Sequence, residues 1–109
     1  MARRCFALDL EDEPGAIAEY ERMHGPGEVW PKVIAHLRAT GVQDMEIWRT
    51  RDRLLMIAEV SEDYPRPVET PDEVKQWEEL MWRFQRALPG SAGGEKWVPM
   101  KRIFALGEQ

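Results

Sequence analysis

A chain of 109 residues is long enough to bury one hydrophobic core and too short for a catalytic domain plus a separate regulatory one, so a single domain over residues 1–109 is expected. Apolar residues at 43% and charged residues at 32% belong to the globular range, away from disordered compositions. A net charge of −5 with dispersed Lys and Arg argues against nucleic-acid binding, and no apolar run approaches the ~20 residues that cross a bilayer.

Residues 3–10 alternate, with Phe6, Leu8 and Leu10 on one face and Cys5, Ala7 and Asp9 on the other, the period of a strand. Acidic residues follow too soon for a secretory signal, and the cytoplasm is the expected compartment. Asp12, Glu13 and Pro14 then supply an N-cap candidate and the first turn of a helix running toward Met23. Along it Ile17, Tyr20 and His24 recur at spacings of three and four and share one face, before Gly25, Pro26 and Gly27 break the helix. A second helix is expected over 29–40, with Trp30, Val33, Ile34 and Leu37 as its apolar stripe, His36 on the polar side in solvent, and Gly41 as the left-handed residue that ends it.

The segment 42–50 alternates again, placing Met45, Ile47 and Arg49 opposite Glu46, Trp48 and Thr50. After a short polar turn, Leu54–Ala58 reads as a strand buried on both faces, so the two form a hairpin with a central strand. Beyond a loop over 61–69, Thr70-Pro71-Asp72-Glu73 matches a capping box with proline at the first helical position. The helix it opens buries Trp77, Leu80, Met81, Phe84 and Leu88 and stops at Pro89-Gly90, and residues 97–106 return to strand character. The order is strand, helix pair, hairpin, helix, strand: a ferredoxin-like α+β arrangement, an antiparallel sheet of four strands with helices on one face. Its other face would expose Trp48 and other large side chains, which implies a second subunit or a ligand there, most simply a symmetric dimer packed sheet on sheet.

One cysteine, Cys5, forms no intrachain disulfide and no multi-cysteine zinc site, and the spacing of His24 and His36 is not that of metal ligands. Gly90, Gly93 and Gly94 precede neither a lysine nor a helix start and so make no phosphate-cradling loop. No cofactor is implied. His24 is suited to carry protons near neutrality, although a histidine at a helix end also complements the helix dipole. Tyr20, one turn earlier, is either a ligand contact or a core tyrosine. Trp77 and Trp30 are either core filler or platforms for the C–H face of a sugar.

Tyr20-Glu21-Arg22-Met23-His24, then Trp30-Pro31, Gly41, Ile47-Trp48, Leu54-Leu55-Met56 with Glu59, Trp77 with Met81, and a closing strand through Phe104 form an ordered set that resembles the L-rhamnose mutarotase family over residues 3–106. The resemblance implies a dimeric α/β barrel-type assembly of ferredoxin-like subunits, and cofactor-free interconversion of the α and β anomers of a 6-deoxy-L-hexose. It implies His24 as proton donor and Tyr20 and Trp77 as substrate contacts. The chain departs from the family's rhamnose enzymes at two substrate contacts, with Met45 in place of a tyrosine and Glu78 in place of a second tryptophan, and its turn is longer at Gly27-Glu28. These departures point to L-fucose at least as readily as L-rhamnose. The rival class is a cofactor-free oxygenase or a small-ligand-binding module on a similar dimeric barrel.

Overall fold

A computed structural model describes residues 2–92 and 95–109; Gly93 and Gly94 of the glycine-rich stretch lie outside the described residues. Strand β1 (Ala2–Leu10) leads into helix α1 (Pro14–Met23), helix α2 (Pro31–Thr40), the hairpin β2 (Val42–Thr50) and β3 (Arg53–Val60), and helix α3 (Asp72–Trp82). Two short strands follow, β4 (Gln85–Arg86) and β5 (Val98–Pro99), then a 3-10 turn at Leu106–Glu108. The strands form one antiparallel sheet in the order β2-β3-β1-β4, with β5 on the same edge of β1 as β4. The fold is the expected ferredoxin-like α+β arrangement, with its fourth strand position divided between two short segments.

The register decides which side chains face the helices. Leu8 opposes Leu54, Phe6 opposes Met56, and Met56 in turn opposes Ile47, so these share one face of the sheet. Leu8, Leu54 and Ala58 are buried on this side, and Leu10, Leu54, Tyr20, Val33, Val74, Trp77 and Met81 close the main core against the three helices. On the opposite face Ala7, Leu55 and Trp48 stand in one row, and Trp48 is 60% exposed. The expectation that β3 is buried on both faces is therefore corrected: Leu54 and Ala58 are buried, whereas Leu55 and Ile57 on the outer face stay half-exposed because no layer covers that side.

The helix ends follow local chemistry. In α1 the Glu13 carboxylate accepts from the Gly15 and Ala16 amides at 2.9 and 2.7 Å, satisfying two of the helix's open donors, with Pro14 in the first turn. Gly41 ends α2 at φ 112°, and a Cβ there would run into the Ser61 side chain. The capping box at Thr70 does not form: α3 starts at Asp72, Pro71 holds the extended cap position, and Asp72 and Glu73 face the positive helix terminus instead. The same helix ends at Trp82 and not near Leu88, because the chain turns into β4, where Leu10 pairs with Gln85 and Asp9 with Arg86. Strand character over 97–106 is likewise realised only at Val98–Pro99, leaving Ile103, Phe104 and Leu106 in solvent. No helix among the described residues is long and apolar enough to cross a membrane.

Candidate active site

Between the helices and the sheet lies a cavity of about 670 Å³, within the range of small-molecule sites. Its floor is the sheet row Phe6, Met56 and Ile47 together with Met45; its roof comes from all three helices. Tyr20, His24, Trp77, Met45 and Glu78, which fall on α1 and its end, β2 and α3, all line it. Trp77 is buried, Met45 half-buried and Glu78 exposed at the mouth. A second, smaller hollow of about 180 Å³ on the outer sheet face is bordered by Arg3, Asp44, Glu46, Ile57 and Glu59 and holds none of these groups.

His24 sits where α1 unwinds. Its own N–H turns to the Glu21 carbonyl at 3.1 Å, a 3-10 bond, and the Tyr20 carbonyl, the ordinary α-helical acceptor for that amide, receives the imidazole Nδ1 at 2.7 Å instead. A carbonyl only accepts, so Nδ1 carries the proton and the lone pair of the neutral ring lies on Nε2. Burial pushes the imidazole below its ordinary pKa against the opposing pull of that carbonyl, which leaves the ring neutral at pH 7. Aromatic contacts fix its plane: Tyr20 lies 4.2 Å away between centroids, and Trp77 meets it edge-on at 5.6 Å. Trp30 in turn packs edge-on against Trp77 at 5.1 Å, so the tryptophan that borders the cavity is itself held by core packing. Core and ligand-wall readings of Trp77 are thus compatible.

Sequence reasoning missed three groups on the cavity wall. His36, expected in solvent, is half-buried there because α2 presents the flank beside Val33 and Leu37 to the cavity. Gln85 is buried at 7% exposure and donates from Nε2 to the Tyr20 hydroxyl at 3.1 Å. Lys96 stands over the Trp82 ring at 5.2 Å, and it too borders the cavity. For Gln85 one signal existed: Val74, Trp77, Met81 and Gln85 continue one helical series, and a polar residue at its last position is unusual. Among the described residues no cluster of three or more His, Cys, Asp or Glu is arranged to hold a metal ion.

The sequence model of the family described as L-rhamnose mutarotase matches residues 3–106. The chain belongs to the L-rhamnose mutarotase family. Within it, the chain is 50% identical over 113 aligned residues to the L-fucose mutarotase of Xanthomonas campestris pv. campestris, covering 99% of this chain and 90% of that protein. It is 30% identical over 95 residues to an L-rhamnose mutarotase of Shigella flexneri, covering 84% and 88% of the two chains. A crystal structure of an L-rhamnose mutarotase from Formosa agariphila superposes with a TM-score of 0.72 over 97% of this chain and 99% of that one; at 21% identity it speaks to the fold. Membership in the mutarotase family favours sugar isomerisation over the oxygenase class.

Proposed function

We propose that this mutarotase-family chain interconverts the α and β anomers of L-fucose, with L-rhamnose as the weaker substrate, and that it works as a cytoplasmic homodimer of single-domain subunits without a cofactor. The observation that carries the sugar assignment is the 50% identity, over nearly the whole chain, to a protein named L-fucose mutarotase, against 30% to one named L-rhamnose mutarotase. Met45 and Glu78, which replace a phenol and an indole at the substrate contacts implied by the family resemblance, are the residues we assign to the discrimination. The two sugars share an apolar C6 methyl and differ in the orientation of ring hydroxyls. Removing a tyrosine donor inside the cavity alters which pattern is satisfied, and a buried polar group left unpaired there costs about 1–3 kcal/mol, while the exposed Glu78 carboxylate offers an acceptor at the mouth.

In the reaction His24 acts as the proton carrier. Neutral at rest, its Nε2 accepts the proton of the anomeric hydroxyl as C1=O1 forms and the C1–O5 bond breaks, and the same nitrogen returns that proton to O5. Both oxygens are attached to C1, so one nitrogen reaches both. Rotation about C1–C2 and reclosure by the reverse steps give the other anomer. The family's proton donor is thus the protonated half of this cycle. Trp77 walls the apolar side of the ring, and Tyr20 supplies a hydrogen bond.

Exchange NMR on both sugars side by side tests this reading. Saturation transfer between α and β anomers faster with L-fucose than with L-rhamnose, and unchanged after dialysis against chelator, is expected. A tenfold or greater preference for L-rhamnose would show that Met45 and Glu78 do not set the choice.

A further inference from the structure

We infer that Gln85 is a positioning residue of the sugar site: its side-chain amide commits the Tyr20 hydroxyl to donating its hydrogen bond into the cavity. This inference rests on the mutarotase reading of that cavity. A phenol oxygen both donates and accepts, and an unconstrained one can present either its proton or its lone pairs to a ligand. Here Gln85 Nε2 donates to the Tyr20 oxygen at 3.1 Å, and among the described residues no hydrogen bond uses the Tyr20 proton. Both residues line the same cavity, so the proton that the protein leaves unspent is available to a sugar oxygen. Burial raises the Tyr20 pKa and outweighs the lowering by the Gln85 hydrogen bond, so the phenol keeps this proton at neutral pH. Were the amide reversed, Tyr20 would spend its proton on Gln85 Oε1 and offer lone pairs, which select the opposite kind of sugar group.

The backbone around Gln85 is held on both sides. Phe84 accepts from the Glu11 amide at 2.8 Å, and Leu10 and Asp9 pair with Gln85 and Arg86. The buried Asp9 carboxylate receives Arg53 at 2.8 and 3.2 Å, while Arg86 bridges from Asp52 at 2.6 Å to Asp9 at 3.7 Å. A two-residue strand would otherwise have little to fix it. With this clamp, the amide two methylenes beyond the backbone reaches Tyr20 in one defined place, and no buried side-chain polar atom among the described residues lacks a partner.

Two replacements of similar volume separate this role from packing. Gln85→Met removes the donor; Gln85→Glu offers an ionised acceptor and draws the Tyr20 proton toward itself. Relative to wild type, exchange kcat/KM is expected to fall roughly tenfold in Gln85→Met and further in Gln85→Glu. In a Tyr20→Phe background Gln85→Met should add almost nothing, since the two then act through one hydroxyl. NMR titration of the Tyr20 ring, with Tyr64→Phe to simplify the spectrum, should move upward in Gln85→Met because the amide no longer stabilises the phenolate. Wild-type kcat/KM in Gln85→Met, or a penalty undiminished by Tyr20→Phe, overturns the assignment, and if Gln85→Glu fails to fold the Met variant decides alone. Should the wild-type protein exchange neither sugar, the mutarotase reading fails separately; an unchanged Tyr20 titration in Gln85→Met would then still overturn the Gln85 role.

Discussion

A histidine at the end of a helix has two ordinary uses, as a cation complementing the helix dipole and as a proton carrier, and they demand opposite charge states. The proposed role of His24 is the second, and its surroundings suit it: burial disfavours the imidazolium, and its one hydrogen bond assigns the proton to Nδ1 and frees Nε2. The exchange rate should accordingly stay level as pH falls past the ordinary imidazole pKa and drop only below it, when the neutral base is lost. A rate that instead rises on acidification would assign the resting charge the other way. Stability is linked with the same sign. Below the unfolded-state pKa the unfolded chain binds a proton that folded His24 resists, so this residue's contribution is present above about pH 6.5 and is lost as pH falls toward its lower folded value. His24→Ala should reduce exchange by roughly 10²–10⁴-fold while leaving the circular dichroism spectrum intact, and Tyr20→Phe should cost less. Retention of wild-type rates by His24→Ala would leave the imidazole with a packing role alone.

Two long ladders, β1 and β2 on β3, make the centre of the sheet, and the other elements are joined to it by short, specific contacts. Gly41 connects α2 to β2 at a positive φ, with its carbonyl accepting the Ser61 amide at 2.8 Å. Gly41→Ala combines backbone strain with a collision at Ser61, and a loss of more than about 1 kcal/mol by urea denaturation is expected. The β4 clamp has a built-in asymmetry. Asp9 is 2% exposed, whereas the Arg53 and Arg86 side chains remain 54% and 41% exposed. Removing Arg53 leaves the buried carboxylate only the longer Arg86 contact at 3.7 Å, whereas removing Asp9 returns two largely exposed cations to water. Thermal melts should therefore place Arg53→Leu below Asp9→Asn. The reverse order would mean that Asp9 is more accessible to solvent than its packing indicates.

At the scale of the whole molecule, one sheet face and the C-terminal tail carry apolar groups that a lone chain leaves in water. Trp48 stands over Leu55 on the outer face, and Ile103, Phe104 and Leu106 are 89%, 62% and 77% exposed. Large apolar side chains left in water are what the proposed homodimer would cover, since a two-fold axis lets one face bury itself against its copy. Sedimentation at micromolar concentration should find a dimer, and Trp48→Glu should shift it toward monomer without altering the circular dichroism spectrum. A monomeric wild-type protein would remove the homodimer from the proposed function.

What was legible in the sequence is what short-range physics governs. Alternation over 3–10 and 42–50, the cluster at Asp12–Pro14 and the glycine at 41 each depend on neighbours a few residues away, and each element formed where those signals stand. The spacing of Tyr20 and His24 is likewise local, since one helical turn brings them to one face. Trp77, Met45 and Glu78 came to the same candidate site from family likeness, and only the packing of α1, α3 and β2 around one cavity brings them together in space. Periodicity failed past Trp82 and past Pro99 for one reason. A helical stripe or an alternating run states what a segment is able to form, whereas pairing requires an open edge. The edge of β1 takes Gln85–Arg86 and Val98–Pro99 and nothing longer. That capture turned Gln85 from the continuation of a helix into the partner of the Tyr20 hydroxyl, a long-range contact across 65 residues that no local pattern encodes.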